Sequence, residues 1–426
     1  MPSKKLVIVV VFAILMLGCA AEEKPPAELT PEIPAEMVEI PIGVLVDLSG
    51  ALKTYGEDIK TCIEIASTEI NSYFEAENKP YKVRLYIEDT KVDPKIALDK
   101  VQILHGKGVR IIIGPMGSGE VKNIASYVTD NKIVIVSPSS TAAPKYIGVT
   151  TPEEKKYIFR FVATDAFQTK AIAKLASDLG IKAVVITYIG NAWGKGLDEF
   201  GSTEFENANI SVASHVEYPD PAPAEFTPFI ATLEDEIKKL LTNYTADEVA
   251  VVAFSYEEVA TMLSQVSDDS VLLTVKWIGC DGTAKSSKVV EDVPEKASKV
   301  GIYSTVAEIR GEAYEKLNDT YFKQVGGSPK SYGMNSYDAA WVVALSFAES
   351  YDELGTYDPD DLVAKIPEIS EKYSKGEYGV KTVSGPIKLD EYNDRIVTEY
   401  KIYKVEEGSW VEAGTWYYEN ATIQWL

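Results

Sequence analysis

From Pro41 onward the chain alternates two kinds of apolar pattern. Short runs of aliphatic residues, such as Pro41–Asp47 (PIGVLVD), Val109–Ile113 and Lys132–Val136, carry almost no polar position and predict strands buried on both faces. Between them the apolar positions fall three and four residues apart. Ile59, Cys62, Ile63, Ala66 and Ile70 share one face and predict an amphipathic helix over Asp58–Phe74. Lys82–Glu88 predicts the next strand. Asp93-Pro94 then opens a helix, with Asp as N-cap and Pro at the first helical position, where its missing N–H is not needed. A second series of strands follows at Ile181–Ile189, Ile210–Glu217, Glu248–Phe254 and Val275–Gly279, with helical stretches between. Alternating strands and helices fold as parallel sheets with right-handed crossovers. The fold class is therefore α/β, and two series predict two doubly wound lobes.

The first 38 residues break this pattern. Lys4-Lys5, the apolar run Leu6–Leu17 and Gly18 predict an export signal over residues 1–18. Its twelve apolar residues are too few for a bilayer span, which needs about 20. Residues 19–38 are rich in Pro, Glu and Ala, cannot form a core, and predict a semi-extended spacer. Cys19 stands at the junction. Its setting resembles the lipobox of surface lipoproteins, whose Cys becomes the lipidated first residue, although Met16 stands where Leu is usual. The adopted reading is a lipidated Cys19 that anchors the protein to the outer face of the cytoplasmic membrane. The other is an ordinary cut after Ala21 that discards Cys19.

Composition narrows the function. The net charge of −23, from 42 basic and 65 acidic residues, excludes the basic stripe of a nucleic-acid partner and an electrostatic patch for anionic membranes. The other cysteines, Cys62 and Cys280, form no Cys-x-x-Cys or Cys/His cluster, so neither a metal nor a cofactor is expected. Cys62 lies on the apolar helix face and is expected in the core, with a bridge to Cys280 left open. Asn209, Asn243, Asn318 and Asn420 begin Asn-x-Ser/Thr triplets and predict surface positions in an exported chain.

Ligands of open α/β sheets bind outside the carboxyl ends of the strands. In the first series those ends lead to Ser49-Gly50 and Tyr55-Gly56, to Gly114-Pro115-Met116-Gly117-Ser118, and to Ser137-Pro138-Ser139-Ser140-Thr141. Hydroxyls, glycines and a helix N-terminus suit a carboxylate. In the second series they lead to Asn191-Ala192-Trp193, Ser255-Tyr256 and Cys280-Asp281-Gly282. One acid and two aromatics suit an ammonium and an apolar side chain. Each residue has a plainer role open to it: Ser118 as a helix N-cap, Ser137–Thr141 as a self-satisfied turn, Trp193 and Tyr256 as core, Asp281 as a solvated turn residue. What favours a site is that all fall where a doubly wound fold puts its ligand.

The ordered series Gly50…Tyr55-Gly56, Asp93-Pro94-Lys95…Ala97, Gly114-Pro115…Ser118, Ser137-Pro138…Thr141, Tyr188…Trp193-Gly194-Lys195-Gly196 and Ser336-Tyr337-Asp338-Ala339 resembles the substrate-binding proteins of branched-chain and related amino-acid ABC transporters, from about Ile40 to Tyr403. The resemblance implies a type I periplasmic-binding fold with three crossovers, near Ala163, Ser304 and Arg395. It divides the chain into lobe 1 (39–162 plus 305–394) and lobe 2 (163–304 plus 395–426). It implies that Ser118 and Thr141 donate to the ligand carboxylate, that the Ser140 carbonyl and Asp281 accept from the ammonium, and that Tyr55, Trp193 and Tyr256 enclose the side chain. Trp193 stands where leucine/isoleucine/valine binders usually carry Tyr. The disulfide some members have near Val92 and Gly117 has no cysteines here.

The function expected is capture of an amino-acid-type ligand by a monomer through hinge closure, and its delivery to an ABC permease. No enzyme is expected: His105 and His215 fall outside the constellation, and no nucleophile elbow, zinc-protease motif or phosphate loop occurs. The alternatives kept open are a sensor component, and a binder of amides or urea in place of amino acids. A sensor of this fold usually has a following transmembrane helix, and the chain reaches Leu426 without one.

Overall fold

The structure is a computed structural model that describes residues 37–426; Cys19, the export signal and the spacer up to Glu36 lie outside the described residues. Five strands, β1 (Val38–Val46), β2 (Tyr81–Asp89), β3 (Ile111–Ile113), β4 (Val134–Ser137) and β5 (Ile158–Arg160), form a wholly parallel sheet in the order β2-β1-β3-β4-β5. Eight more, β6 (Ala183–Ile189), β7 (Ser211–Tyr218), β8 (Val249–Phe254), β9 (Lys276–Ile278), β10 (Tyr303–Val306), β11 (Glu399–Glu406), β12 (Ser409–Tyr417) and β13 (Thr422–Trp425), form a second sheet in the order β13-β12-β11-β10-β9-β8-β6-β7. Its parallel half runs from β7 to β10, and β11 to β13 add antiparallel strands.

The helices of the first part are α1 (Lys53–Ala76), α2 (Pro94–Gly106) and α3 (Ser118–Asp130). Those that follow are α4 (Asp165–Asp178), α5 (Ala192–Asn207), α6 (Thr227–Leu240), α7 (Val259–Gln265), α8 (Ser287–Glu291) and α9 (Pro294–Val300). The last three are α10 (Tyr314–Val325), α11 (Ser331–Leu354) and α12 (Pro359–Lys375). Asp93 caps α2 as expected, its side chain accepting from the amides of Lys95 and Ile96. The chain passes between the sheets three times: after β5, after β10, and before β11.

α11 packs against α1 and β3 and fills a face of the first sheet. It is buried nearly all round, with 19 of its 24 residues out of solvent, polar Asn335, Ser336 and Asp338 among them. Asp338, from the Ser336–Ala339 motif, has its carboxylate buried in this helix and accepts from the amides of Val383 (3.0 Å) and Ser384 (2.8 Å) and from the Tyr373 hydroxyl (2.9 Å). A motif residue thus fixes the backbone that leads into the third crossing. Beside that crossing Asp394 pairs with Lys155 (Nζ to Oδ1 2.7 Å) and Arg160 (Nε to Oδ1 2.6 Å), all three essentially unexposed. Burial alone would raise the Asp394 carboxyl, but the two cations hold it below its ordinary value. Burial lowers the Lys155 ammonium to about 8.

Several expectations need correcting. α1 begins at Lys53, not Asp58, so Tyr55 and Gly56 lie in its first turn and not in a loop. β5 and β10 to β13 are additional strands. The turn joining β11 to β12 has Glu407 and Gly408 at positive φ (49° and 73°), the geometry of a tight hairpin. Cys62 and Cys280 are buried and unpaired, so no bridge joins them. Asn209, Asn243 and Asn420 are exposed, whereas Asn318 is half-buried on α10 with its side-chain oxygen enclosed. Among the described residues, no helix is long and apolar enough to cross a membrane.

Candidate functional site

The carboxyl ends of β1, β3 and β4 are stitched into one surface by short polar contacts. The Asp47 carboxylate ends β1 and accepts from the amides of Ser49, Gly50 and Leu52, folding the turn that starts α1. Gly56 permits close approach there, since a Cβ on it would lie 1.6 Å from the Asp47 carbonyl oxygen. This seating turns Tyr55 into the cleft. After β3, Gly117 is the N-cap of α3 and Ser118 the first helical residue, so Ser118 is not the cap. The Gly117 amide donates to Glu120 Oε2 at 2.6 Å and is not free for a ligand. Burial raises the Glu120 carboxyl to about 8.

After β4, Ser137 Oγ donates to the Pro115 carbonyl (2.6 Å) and accepts from the Ser140 amide (3.1 Å). Ser139 Oγ donates to the Met116 carbonyl (3.1 Å). Ser118 Oγ pairs with Ser140 Oγ (3.0 Å) and accepts from the Ala142 amide (3.1 Å). The Ala142 carbonyl takes Arg160 Nη1, and the Thr141 carbonyl takes the Asp165 amide at 2.8 Å. The loop that carries Ser139 to Ala142 is therefore tied to the first crossing.

In the second sheet, Asn191 caps α5 by accepting from the amides of Trp193 (3.1 Å) and Gly194 (3.0 Å), and its amide group donates to Tyr256 Oη (3.3 Å). Trp193 and Tyr256 stack with ring centroids 4.5 Å apart and planes 14° apart. Gly282 lies flat against this pair: a Cβ there would sit 2.8 Å from the Trp193 ring. β9 delivers Asp281, whose Oδ2 accepts from the Tyr332 hydroxyl at the start of α11. Tyr55 Oη donates to the carbonyls of Asp281 (3.0 Å) and Ala284, and Thr54 Oγ1 meets Ser287 Oγ at 3.1 Å. The two sheets' loops thus touch, and together they enclose a cavity of about 20 Å³, room for little more than a water molecule in this closed arrangement.

Tyr55, Ser118, Trp193, Tyr256 and Asp281 line that cavity. Ser140 and Thr141 are buried behind the wall, and Ser139 is the lining residue of their loop. Sequence reasoning missed Ser139, Tyr332 and Asp165. Asp165 begins α4 and is fully buried, with the Thr141 hydroxyl as the neighbour that offsets part of its burial; Asp281 Oδ1 is buried without a close hydrogen-bond partner. Burial, and next the charge of Asp281, push the Asp165 carboxyl well up. Burial also raises Asp281, against the hydrogen bond from Tyr332 and the neighbouring Gln168. An acid directly after the first crossing was the available signal for Asp165. Nothing local marked Tyr332, which arrives from a helix remote in sequence.

No Lys, Arg or His lines the cavity. His105 bonds Tyr127 and His215 bonds Asp198 (both 2.7 Å), away from it. Among the described residues no group of three His, Cys, Asp or Glu side chains is placed to hold a metal ion. A buried acid with an unpartnered oxygen can accept a cationic group. The hydroxyl loop and helix start opposite it can donate to an anionic one.

Residues 39–409 match the periplasmic binding protein family. An uncharacterized protein of Methanocaldococcus jannaschii is 44% identical over 98% of both chains. A Leu/Ile/Val-binding protein of Rhizobium johnstonii is 22% identical, covering 89% of this chain and 95% of its own. Among solved structures, a leucine-binding protein of Thermotoga maritima superposes with a TM-score of 0.74 at 20% identity, over 89% of this chain and 99% of its own. A solute-binding protein of R. palustris in complex with benzoate gives 0.70 at 14% identity, over 91% and 98%. The fold, the two-sided cavity and the match along most of its length all agree: the chain belongs to the periplasmic binding protein family, whose members are solute-binding proteins.

Proposed function

We propose that this protein captures an amino-acid-type zwitterion between its lobes and delivers it to an ABC permease, working outside the cytoplasmic membrane as a monomer held there by a lipidated Cys19. The observation that carries this reading is Asp281, a buried acid that lines the cavity with one oxygen, Oδ1, unpartnered, and has the buried acid Asp165 near it. A ligand ammonium would supply the missing partner, and its charge would favour the ionised form of Asp281 that burial alone disfavours. Ser118 and Ser139 face it from the other lobe and suit the carboxylate, with Ser140 and Thr141 behind them. Tyr55, Trp193 and Tyr256 would enclose the side chain. The lobes close over the ligand by rotation at the three crossings, and the interlobe bonds of Tyr55, Thr54 and Tyr332 belong to the closed form.

The family supports solute binding, and the named relatives support leucine, isoleucine and valine as first ligands to test. Benzoate binding by a structural neighbour favours a second reading, an aromatic carboxylate between Trp193 and Tyr256. That ligand, like an amide, would leave both acids without a cation. Calorimetry on leucine, isoleucine, valine, their amides and benzoate separates these readings. Amino acids are expected to bind, and Asp281→Asn to weaken them by about 100-fold or more, because the ammonium loses a buried charge partner. Preference for benzoate or amides, or affinity unchanged in Asp281→Asn, would overturn the zwitterion reading.

A further inference from the structure

At the opposite end of the first sheet from the cleft lies a second cavity, of about 250 Å³. The cleft lies beyond the carboxyl end of β3. This cavity lies at the amino ends of the strands, where Val38 begins β1 and Ile111 begins β3. An aromatic wall lines one side of it and the other side opens to solvent. Phe347 stacks with Tyr351 (5.7 Å, 14°) and with Tyr357 (5.8 Å, 19°). Within this apolar surround Arg110 Nη1 and Tyr357 Oη are both buried without a hydrogen-bond partner.

An unpaired guanidinium is unusual in a chain with so many acids. Arg84 and Arg310 pair with glutamates, Arg160 with Asp394, and Arg395 with Asn335 and Ser384; among the described residues Arg110 alone has no such partner. The acid on the rim, Glu39, is already engaged by Arg84 (3.4 Å) and Tyr86 (3.2 Å). A buried donor left empty costs free energy. Two such donors, on neighbouring residues that line one largely apolar cavity with room for a small molecule, point to a binding site.

We infer that this cavity is a second binding site, for a small carboxylate with an apolar or aromatic body, separate from the interlobe cleft. Arg110 Nη1 and the Tyr357 hydroxyl donate to the carboxylate. The Phe347, Tyr351 and Ile111 surfaces take the body. Burial pushes the Tyr357 hydroxyl upward, so it remains a donor at neutral pH.

The test is fluorine NMR on the full chain with 4-fluorobenzoate, and with 4-fluorobenzamide as the uncharged comparison. Four proteins are compared: wild type, Arg110→Met, Tyr357→Phe and Asp281→Asn. The acid is expected to bind wild type and Asp281→Asn alike. It should bind about tenfold or more weaker to Arg110→Met, and several-fold weaker to Tyr357→Phe. Amino-acid binding in the cleft should be unchanged in Arg110→Met, which keeps this result independent of the proposed function. Four results would overturn the inference: no binding at millimolar acid, equal binding of the amide, affinity retained in Arg110→Met, or affinity lost in Asp281→Asn.

Discussion

Glu120 shows how a residue outside the ligand's reach can set the site. It holds the Gly117 amide behind the Ser118 wall, and burial raises its carboxyl from 4.5 to about 8. A group whose folded value is raised stabilises the fold while protonated. Its contribution is complete below about pH 4.5 and is lost as pH rises through about 8, on the order of a few kcal/mol in total. Glu120→Gln keeps the acceptor and removes the titration. Relative to this variant, wild type is expected to lose melting temperature steadily between pH 4.5 and 8. Parallel melting curves over that range would show that Glu120 does not titrate as its burial implies. At this scale the sequence was partly legible. Tyr55, Trp193, Tyr256 and Asp281 could be found because each follows a strand or opens the next helix. Asp165 and Tyr332 could not, because their meeting with Asp281 is made by tertiary packing and leaves no local spacing.

Whole elements were read more reliably when buried on both faces. β6 and β8 are continuous apolar runs and fall within a residue or two of expectation. β11 alternates polar and apolar positions over a half-solvated sheet, and β5 has only three residues, so neither carries a strong local signal. The start of α1 was misplaced because its first turn is fixed by Asp47 and not by an apolar stripe. Two glycines test this packing with opposite signs. Gly56→Ala puts a methyl into the Asp47 backbone and should cost about 1–3 kcal/mol or more by chemical denaturation, with loss of cleft binding. Gly119→Ala meets nothing closer than 3.6 Å and should be neutral or stabilise α3 by up to about 1 kcal/mol. If Gly56→Ala were harmless, the contact between the start of α1 and β1 would be looser than described.

Across the molecule, the hydrogen bonds that join the two sheets' loops over the cleft are few, and in the proposed closure they would have to break on opening. Tyr55 contributes one, its single hydroxyl proton shared between the carbonyls of Asp281 and Ala284. Tyr55→Phe is expected to weaken cleft ligands about three- to tenfold with little change in melting temperature, and to raise the ligand-free radius of gyration in X-ray scattering. Unchanged affinity and radius would mean that closure does not depend on this bond. The two strand series foretold two sheets, but not how the last part of the chain divides between them. That division affects the molecule while it is being made. The strands of the first sheet are complete at Arg160, yet α11, which fills one of its faces, begins only at Ser331. At about 5–20 residues per second, the intervening stretch of about 170 residues keeps that apolar face open for roughly ten to thirty seconds. A nascent chain of this topology therefore carries an open apolar face until α11 has emerged, and is prone to aggregate over that interval.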